Sequence, residues 1–132
     1  MSRLQERIEN FNKAFELFYT MRNNFVNDKQ SDSNKLALTQ SFEIIFELGW
    51  KVLKDYLFVN GIQVYTPRDV IKEAFSAEII KNGQVWIDMT NDKNASSHEY
   101  NMEKVSKILE NISTIYFKEL SAFKDEIRTF NE

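Results

Sequence analysis

The sequence predicts an all-α fold, an antiparallel helical bundle of four main helices plus one short helix. Three observations carry that expectation. Apolar residues recur at three- and four-residue spacing through most of the chain, which is the period of one helix face. Three glycines and one proline in 132 residues leave too little turn chemistry for an all-β fold, which needs a turn signal about every 8 to 12 residues. Eleven Phe, five Tyr and two Trp supply enough apolar surface for one core in a chain of this length. A single domain over residues 1–132 is therefore expected.

The first helix is expected over residues 2–27. Leu4, Ile8, Phe11, Phe15, Phe18 and Phe25 fall on one stripe, with steps of four, three, four, three and seven. The polar run NDKQSDSN (27–34) has no period and reads as a loop, and Ser33 or Asn34 can cap the helix that follows. In LALTQSFEIIFELGWKVLKDYLFVNG, Phe42, Ile45, Phe46, Trp50, Val52, Leu53, Tyr56 and Leu57 spread over more than one stripe. A helix apolar on several sides sits centrally in a bundle or contributes to a subunit interface. Asn60-Gly61 ends it, because glycine takes the left-handed conformation without steric cost.

YTPRDVIKEAF starts a third helix. Thr66 caps, Pro67 sits where a missing N–H loses nothing, and Asp69 faces the positive end of the dipole. Asn82-Gly83 interrupts that helix, and VWIDMTNDKN continues as a short helix with Trp86 and Met89 on one face. Val105, Ile108, Leu109, Ile112, Tyr116, Leu120, Phe123, Ile127 and Phe130 give the last helix its stripe, with Asn101 as the expected cap.

Composition also bounds function. With no cysteine there is no disulfide, thiolate metal site or cysteine nucleophile. A net charge of −3 argues against a chain that coats nucleic acid non-specifically, and leaves room for a small local RNA or nucleotide site. The N-terminal MSRLQERIEN is charged, and no run approaches the 18 or more apolar residues of a membrane span, so a cytoplasmic protein with no membrane partner is expected. One histidine cannot furnish the Glu-x-x-His pairs of a helical di-iron site. Glu43 and Glu47, four apart, can hold a metal but fit better as a solvated face or a pair with Lys51. Asp88 and Asp92 can attract Mg²⁺, and fit better as the exposed face opposite Trp86 and Met89. No cofactor and no metal is expected.

The histidine, His98, lies in NDKNASSHEY. On a continuous helix Asn94 and His98 share a face, while Lys93 lies about 140° from His98. Lys93 and His98 converge on one ligand only if the helix ends or bends between them, or if a second subunit supplies one of the pair. An imidazole beside an ammonium suits phosphodiester chemistry, since one exchanges protons near neutral pH and the other steadies phosphate charge. Spacing alone favours His98 as an incidental polar group near a helix end, because a straight helix points it away from Lys93.

SFEIIFELGWKVLKDYL, TPRDVIKEAF, VWIDM and DKNASSHEY, in that order from about Phe42 to Tyr100, resemble the HEPN-type helical proteins known as nucleotidyltransferase substrate-binding proteins, the partners of minimal nucleotidyltransferases. The resemblance implies a helical bundle that forms a homodimer and pairs with a small nucleotidyltransferase, several such pairs behaving as toxin and antitoxin. In active members the helical subunit is a metal-independent ribonuclease whose motif is Arg, four residues, His, one residue, Tyr. The partner neutralises it by transferring AMP to that tyrosine. Carried onto this chain, His98 falls at the histidine, Tyr100 at the AMP acceptor, Asn94 at the polar residue after the arginine, and Lys93 at the arginine itself. The resemblance thus implies Lys93, Asn94 and His98 as a catalytic set. Lysine keeps the charge but lacks the planar fork that grips phosphate through two parallel hydrogen bonds, which weakens the implied ribonuclease. Two other readings stay open: a non-catalytic binding subunit that presents a substrate or itself to the partner, and a bundle with a structural role alone.

Overall fold

The computed structural model describes residues 2–96 and 102–131. Among them the elements are α1 (Arg3–Asn27), α2 (Asp32–Val59), α3 (Pro67–Ser76), α4 (Gly83–Ser96), α5 (Met102–Asn111) and α6 (Phe117–Glu126). Helix α5 runs into α6 through a π-helical turn, Ile112–Tyr116, with right-handed helical backbone on both sides, and a 3₁₀ turn, Ile127–Thr129, follows. The all-α expectation holds, and every residue of the predicted α1 stripe is buried.

Local chemistry sets most boundaries. Ser2 Oγ accepts from Gln5 N at 3.1 Å to start α1. Thr66 Oγ1 accepts from Asp69 N at 3.3 Å with Pro67 next in line, as expected for α3. Asn60 ends α2 and Gly61 follows with φ of 86°, the left-handed region that glycine enters freely.

Two boundaries differ from the sequence reading. Helix α2 is capped by Ser31, whose Oγ accepts from Asn34 N at 3.2 Å, and not by Ser33 or Asn34. Asn34 is occupied elsewhere: its Nδ2 donates to the carbonyls of Asn24 and Asp28, both at 3.1 Å, stitching the end of α1 to the start of α2. Helix α3 stops at Ser76, before the predicted break at Asn82-Gly83. Glu78 turns left-handed with φ of 60°, and Ile79 N bonds Ala74 O at 2.9 Å. That turn drops Ile80 into the core, and its burial outweighs another helical turn. The expected cap Asn101 lies outside the described residues.

Side-chain pairs fix the helix directions. Phe18 meets Phe42 and Arg7 meets Asp55, so α1 and α2 run antiparallel. Phe11 meets Phe123 while Phe15 and Phe18 meet Phe117, so α1 is also antiparallel to α6. Phe42 stacks on Tyr116 and Tyr56 stacks on Phe130, so α2 runs parallel to the C-terminal rod. Helix α2 is central as expected, touching α1, α3, α4, α5 and the π turn.

Gly49 is where three layers meet: a Cβ there would lie 3.3 Å from Phe11 of α1 and 3.4 Å from the Trp86 indole of α4. Its bare backbone lets the indole seat against α2. A branched side chain must push both rings away, and overpacking of this kind costs about 1–3 kcal/mol. Gly49→Val is expected to lower the urea midpoint by a corresponding amount with an unchanged slope. A midpoint equal to wild type would show that the rings do not pack against residue 49.

Candidate functional site

The C-terminal half of α4 carries Lys93 and Asn94, and its position is set by the N-terminal half of the helix. Trp86 and Met89 are fully buried. The indole lies 4.9 Å from the Phe123 ring, edge-on, and 6.3 Å from that of Phe46. Its Nε1 donates to Glu119 Oε1 at 3.2 Å, so the buried donor is satisfied. Glu119 Oε2 accepts from Asn82 Nδ2 at 2.9 Å, which fastens the turn before α4 to α6.

One turn from its end, α4 is held again. Tyr116 Oη donates to Asp92 Oδ2 at 2.5 Å. Burial pushes the Tyr116 hydroxyl well above the ordinary tyrosine range, reinforced by the bond to Asp92 and the charges of Asp92 and Asp88, against a smaller opposing effect of Asn111. Asp92 is thus a cross-helix acceptor, which corrects its reading as part of an exposed acidic face. Asp88 is exposed as expected and accepts from Gln84 Nε2 at 2.9 Å.

Lys93 is half-buried in the last turn of α4, where a cation also complements the negative end of the dipole. It lines an open hollow of about 380 Å³ with Glu43, Ile44, Glu47 and Leu48 of α2. Glu47 is already engaged, by Lys51 Nζ at 3.4 Å and by Trp50 Nε1 at 3.1 Å. The predicted Glu47–Lys51 pair is present, and the indole bond was not legible in the sequence. Asn94 is exposed. His98 and Tyr100 lie outside the described residues, so Lys93 and Asn94 are the members of the predicted set with a described position. Around α4 these two diverge by about 100°.

On the far side of α4 from Lys93, Arg68 Nη2 of α3 donates to Asn91 Oδ1. Sequence reading passed over this arginine. Its signal is a cation at the second residue of α3, where it opposes the positive end of the helix dipole. Among the described residues, no three His, Cys, Asp or Glu side chains gather as a metal-binding group, and no helix is long and apolar enough to cross a membrane.

Residues 6–129 match the family described as Nucleotidyltransferase substrate binding protein like. A probable ribonuclease HepT from Haemophilus influenzae is 26% identical over 98 residues, a match that covers 70% of this chain and 66% of that relative. A crystal structure of a Thermus thermophilus protein superposes with a TM-score of 0.74 at 22% identity, over 89% of this chain and 95% of that one. At that identity the structural likeness bears on the fold.

The raised proton affinity of Tyr116 bears on stability at high pH. Because the folded chain holds this proton above the ordinary value near 10, the bond contributes stability that is full below pH 10 and is lost as pH rises beyond it. In an alkaline titration followed at 295 nm, Tyr116 is expected to stay protonated until the chain unfolds. Tyr116→Phe should leave the folded-state amplitude unchanged and reduce the amplitude of the denatured chain by one tyrosine in five. A smaller folded-state amplitude in the variant would contradict the burial argument.

Proposed function

The chain belongs to the Nucleotidyltransferase substrate binding protein like family, and on that premise we propose that it is the helical subunit of a pair with a minimal nucleotidyltransferase. In this reading it is a homodimer of a single domain over residues 1–132, of toxin type, carrying a weakened metal-independent ribonuclease site. Support comes from the order Lys93, Asn94, His98, Tyr100 in the sequence, from the anchoring at Trp86 and Asp92 of the helix that carries Lys93 and Asn94, and from the name of the Haemophilus relative.

The chemistry asked of these residues balances without a metal. His98 takes the proton of an RNA 2′-hydroxyl as its oxygen bonds to the adjacent phosphorus, and the bond from phosphorus to the 5′-oxygen breaks. A proton returned by the imidazole neutralises that leaving oxygen, giving a cyclic phosphate and a free 5′-hydroxyl. Lys93 steadies the charge gathering on the phosphoryl oxygens, and Asn94 orients the phosphate. In this reading the site lies across the dimer, and the Lys93 that serves it comes from the second protomer. Tyr100 is the AMP acceptor by which the partner enzyme silences the site.

One observation favours the second reading, a non-catalytic binding subunit. Glu43 and Glu47 line the hollow that Lys93 enters, and their negative charge opposes a phosphate there.

Cleavage of a mixed-sequence RNA by the wild type and its loss in His98→Ala decide between the two readings. Cleavage by neither protein would eliminate the ribonuclease reading and leave the binding subunit. Lys93→Arg is expected to raise the cleavage rate by about tenfold or more, toward the value of one oriented donor on a developing oxyanion. Mixed with its nucleotidyltransferase and ATP, the wild type is expected to gain one AMP by mass spectrometry, localised to Tyr100 and absent in Tyr100→Phe. A modified Tyr100→Phe would move the acceptor elsewhere.

A further inference from the structure

The side of α4 opposite Lys93 also meets a cation, Arg68 of α3. Asn91 and Asn94 are three apart on α4, within about 60° of each other around the helix, whereas Lys93 lies about 160° from Asn91. The Asn94 side of α4 therefore receives no cation from its own helix. It receives one from α3: the Arg68 guanidinium reaches across to Asn91 Oδ1, one turn before Asn94.

Further features set this arginine apart. Arg3 and Arg7 are paired with Asp55, and Arg22 is committed to the Ser113 carbonyl and the Phe117 ring. Arg68 is exposed, and its one hydrogen-bond partner among the described residues is a neutral amide oxygen. Asn91 takes a single N–H of the guanidinium, which leaves four of its five donors for a second acceptor. The platform beneath is rigid, because Val70, Ile71 and Ala74 are buried and Thr66 and Pro67 fix the first turn of α3. An arginine in that turn works against the helix dipole, so helix stability does not account for it.

We propose that Arg68 is a phosphate-binding residue of the ribonuclease site: its guanidinium grips the RNA phosphate beside Asn94 through a two-pronged contact of its own, on the side of α4 away from Lys93. This rests on the ribonuclease reading above. Arginine presents parallel N–H groups matched to two phosphoryl oxygens, and Asn91 aims the fork by holding one edge. The phosphate then lies between Arg68 and Asn94 of one protomer, with Lys93 reaching it from the other.

The test uses a short 2′-O-methyl oligoribonucleotide, which lacks the nucleophilic hydroxyl and is bound without being cut, against the full-length wild type, Arg68→Ala, Arg68→Lys, Asn91→Ala and Arg128→Ala, with thermal melting run on each. Arg68→Ala is expected to weaken binding at least tenfold and to reduce the slope of log affinity against log salt by about 0.7, the loss of one phosphate contact on a single strand. Arg68→Lys should restore the slope while recovering only part of the affinity. Asn91→Ala should weaken binding two- to threefold with the slope unchanged, and Arg128→Ala, which removes the same charge from an exposed position on the C-terminal 3₁₀ turn, should bind as wild type.

Wild-type binding that Arg68→Ala leaves intact would overturn the role of Arg68 and spare the ribonuclease reading. Equal losses in Arg68→Ala and Asn91→Ala with no change of slope would make the contact a strut between α3 and α4, and would also overturn it. No binding by the wild type would remove both the inference and the site it rests on.

Discussion

The fully buried indole of Trp86 is the contact on which the arrangement of this protein depends. It touches α2 through Gly49 and Phe46 and α6 through Phe123, and hands its N–H to Glu119. A tryptophan removes roughly 150–250 Å² from water, worth about 4–6 kcal/mol at 25 cal/mol per Å². Because helix α4 is only 14 residues long, fixing its first turns leaves little freedom in the turn that carries Lys93 and Asn94. The aromatic core and the candidate site are coupled through one helix.

The C-terminal rod answers the same constraint from the opposite side. It must present Ile108, Leu109 and Ile112 to the bundle before its midpoint and Tyr116, Leu120 and Phe123 after it. The π turn at Ile112–Tyr116 adjusts the phase between these stripes, at the cost of a looser backbone ladder. Three groups compensate. Ser113 Oγ and Thr114 Oγ1 both donate to the Glu110 carbonyl, at 3.1 and 2.7 Å, and Arg22 Nε of α1 donates to the Ser113 carbonyl at 2.9 Å with its guanidinium over the Phe117 ring. The turn ends at Tyr116, the residue that holds Asp92. An irregularity in the last helix thus sets the hydroxyl that steadies α4.

Charge is distributed unevenly around α4. Toward α2, Lys93 shares its hollow with two carboxylates. Toward α3, the cation is a guanidinium whose partner is a neutral amide. Toward α6 and the π turn, the contacts are Glu119 with the indole and Asp92 with a phenol held in its neutral form. A net charge of −3 says nothing of this pattern, since a site for one phosphate depends on local placement.

The stripe from Leu4 to Phe25, the Thr66-Pro67 start of α3, the Asn60-Gly61 stop and the Glu47–Lys51 pair were all legible in the sequence, because each obeys rules acting within a turn or two of one helix. Where two local candidates competed, the same rules failed. Ser31 displaced Ser33 and Asn34 as the cap once Asn34 was drawn to carbonyls of α1, and burial of Ile80 ended α3 early. Tyr116 was read correctly as core, but its bond to Asp92 required knowing how α4 is rotated against the π turn. Arg68 was passed over in the sequence, because its meeting with Asn91 depends on how α3 and α4 lie side by side. The sequence by itself determined which faces of the helices are apolar and where most helices begin. The tertiary structure alone decided which polar groups meet across them, because such meetings depend on the direction, rotation and phase of two helices at once, and no period within either helix encodes all three.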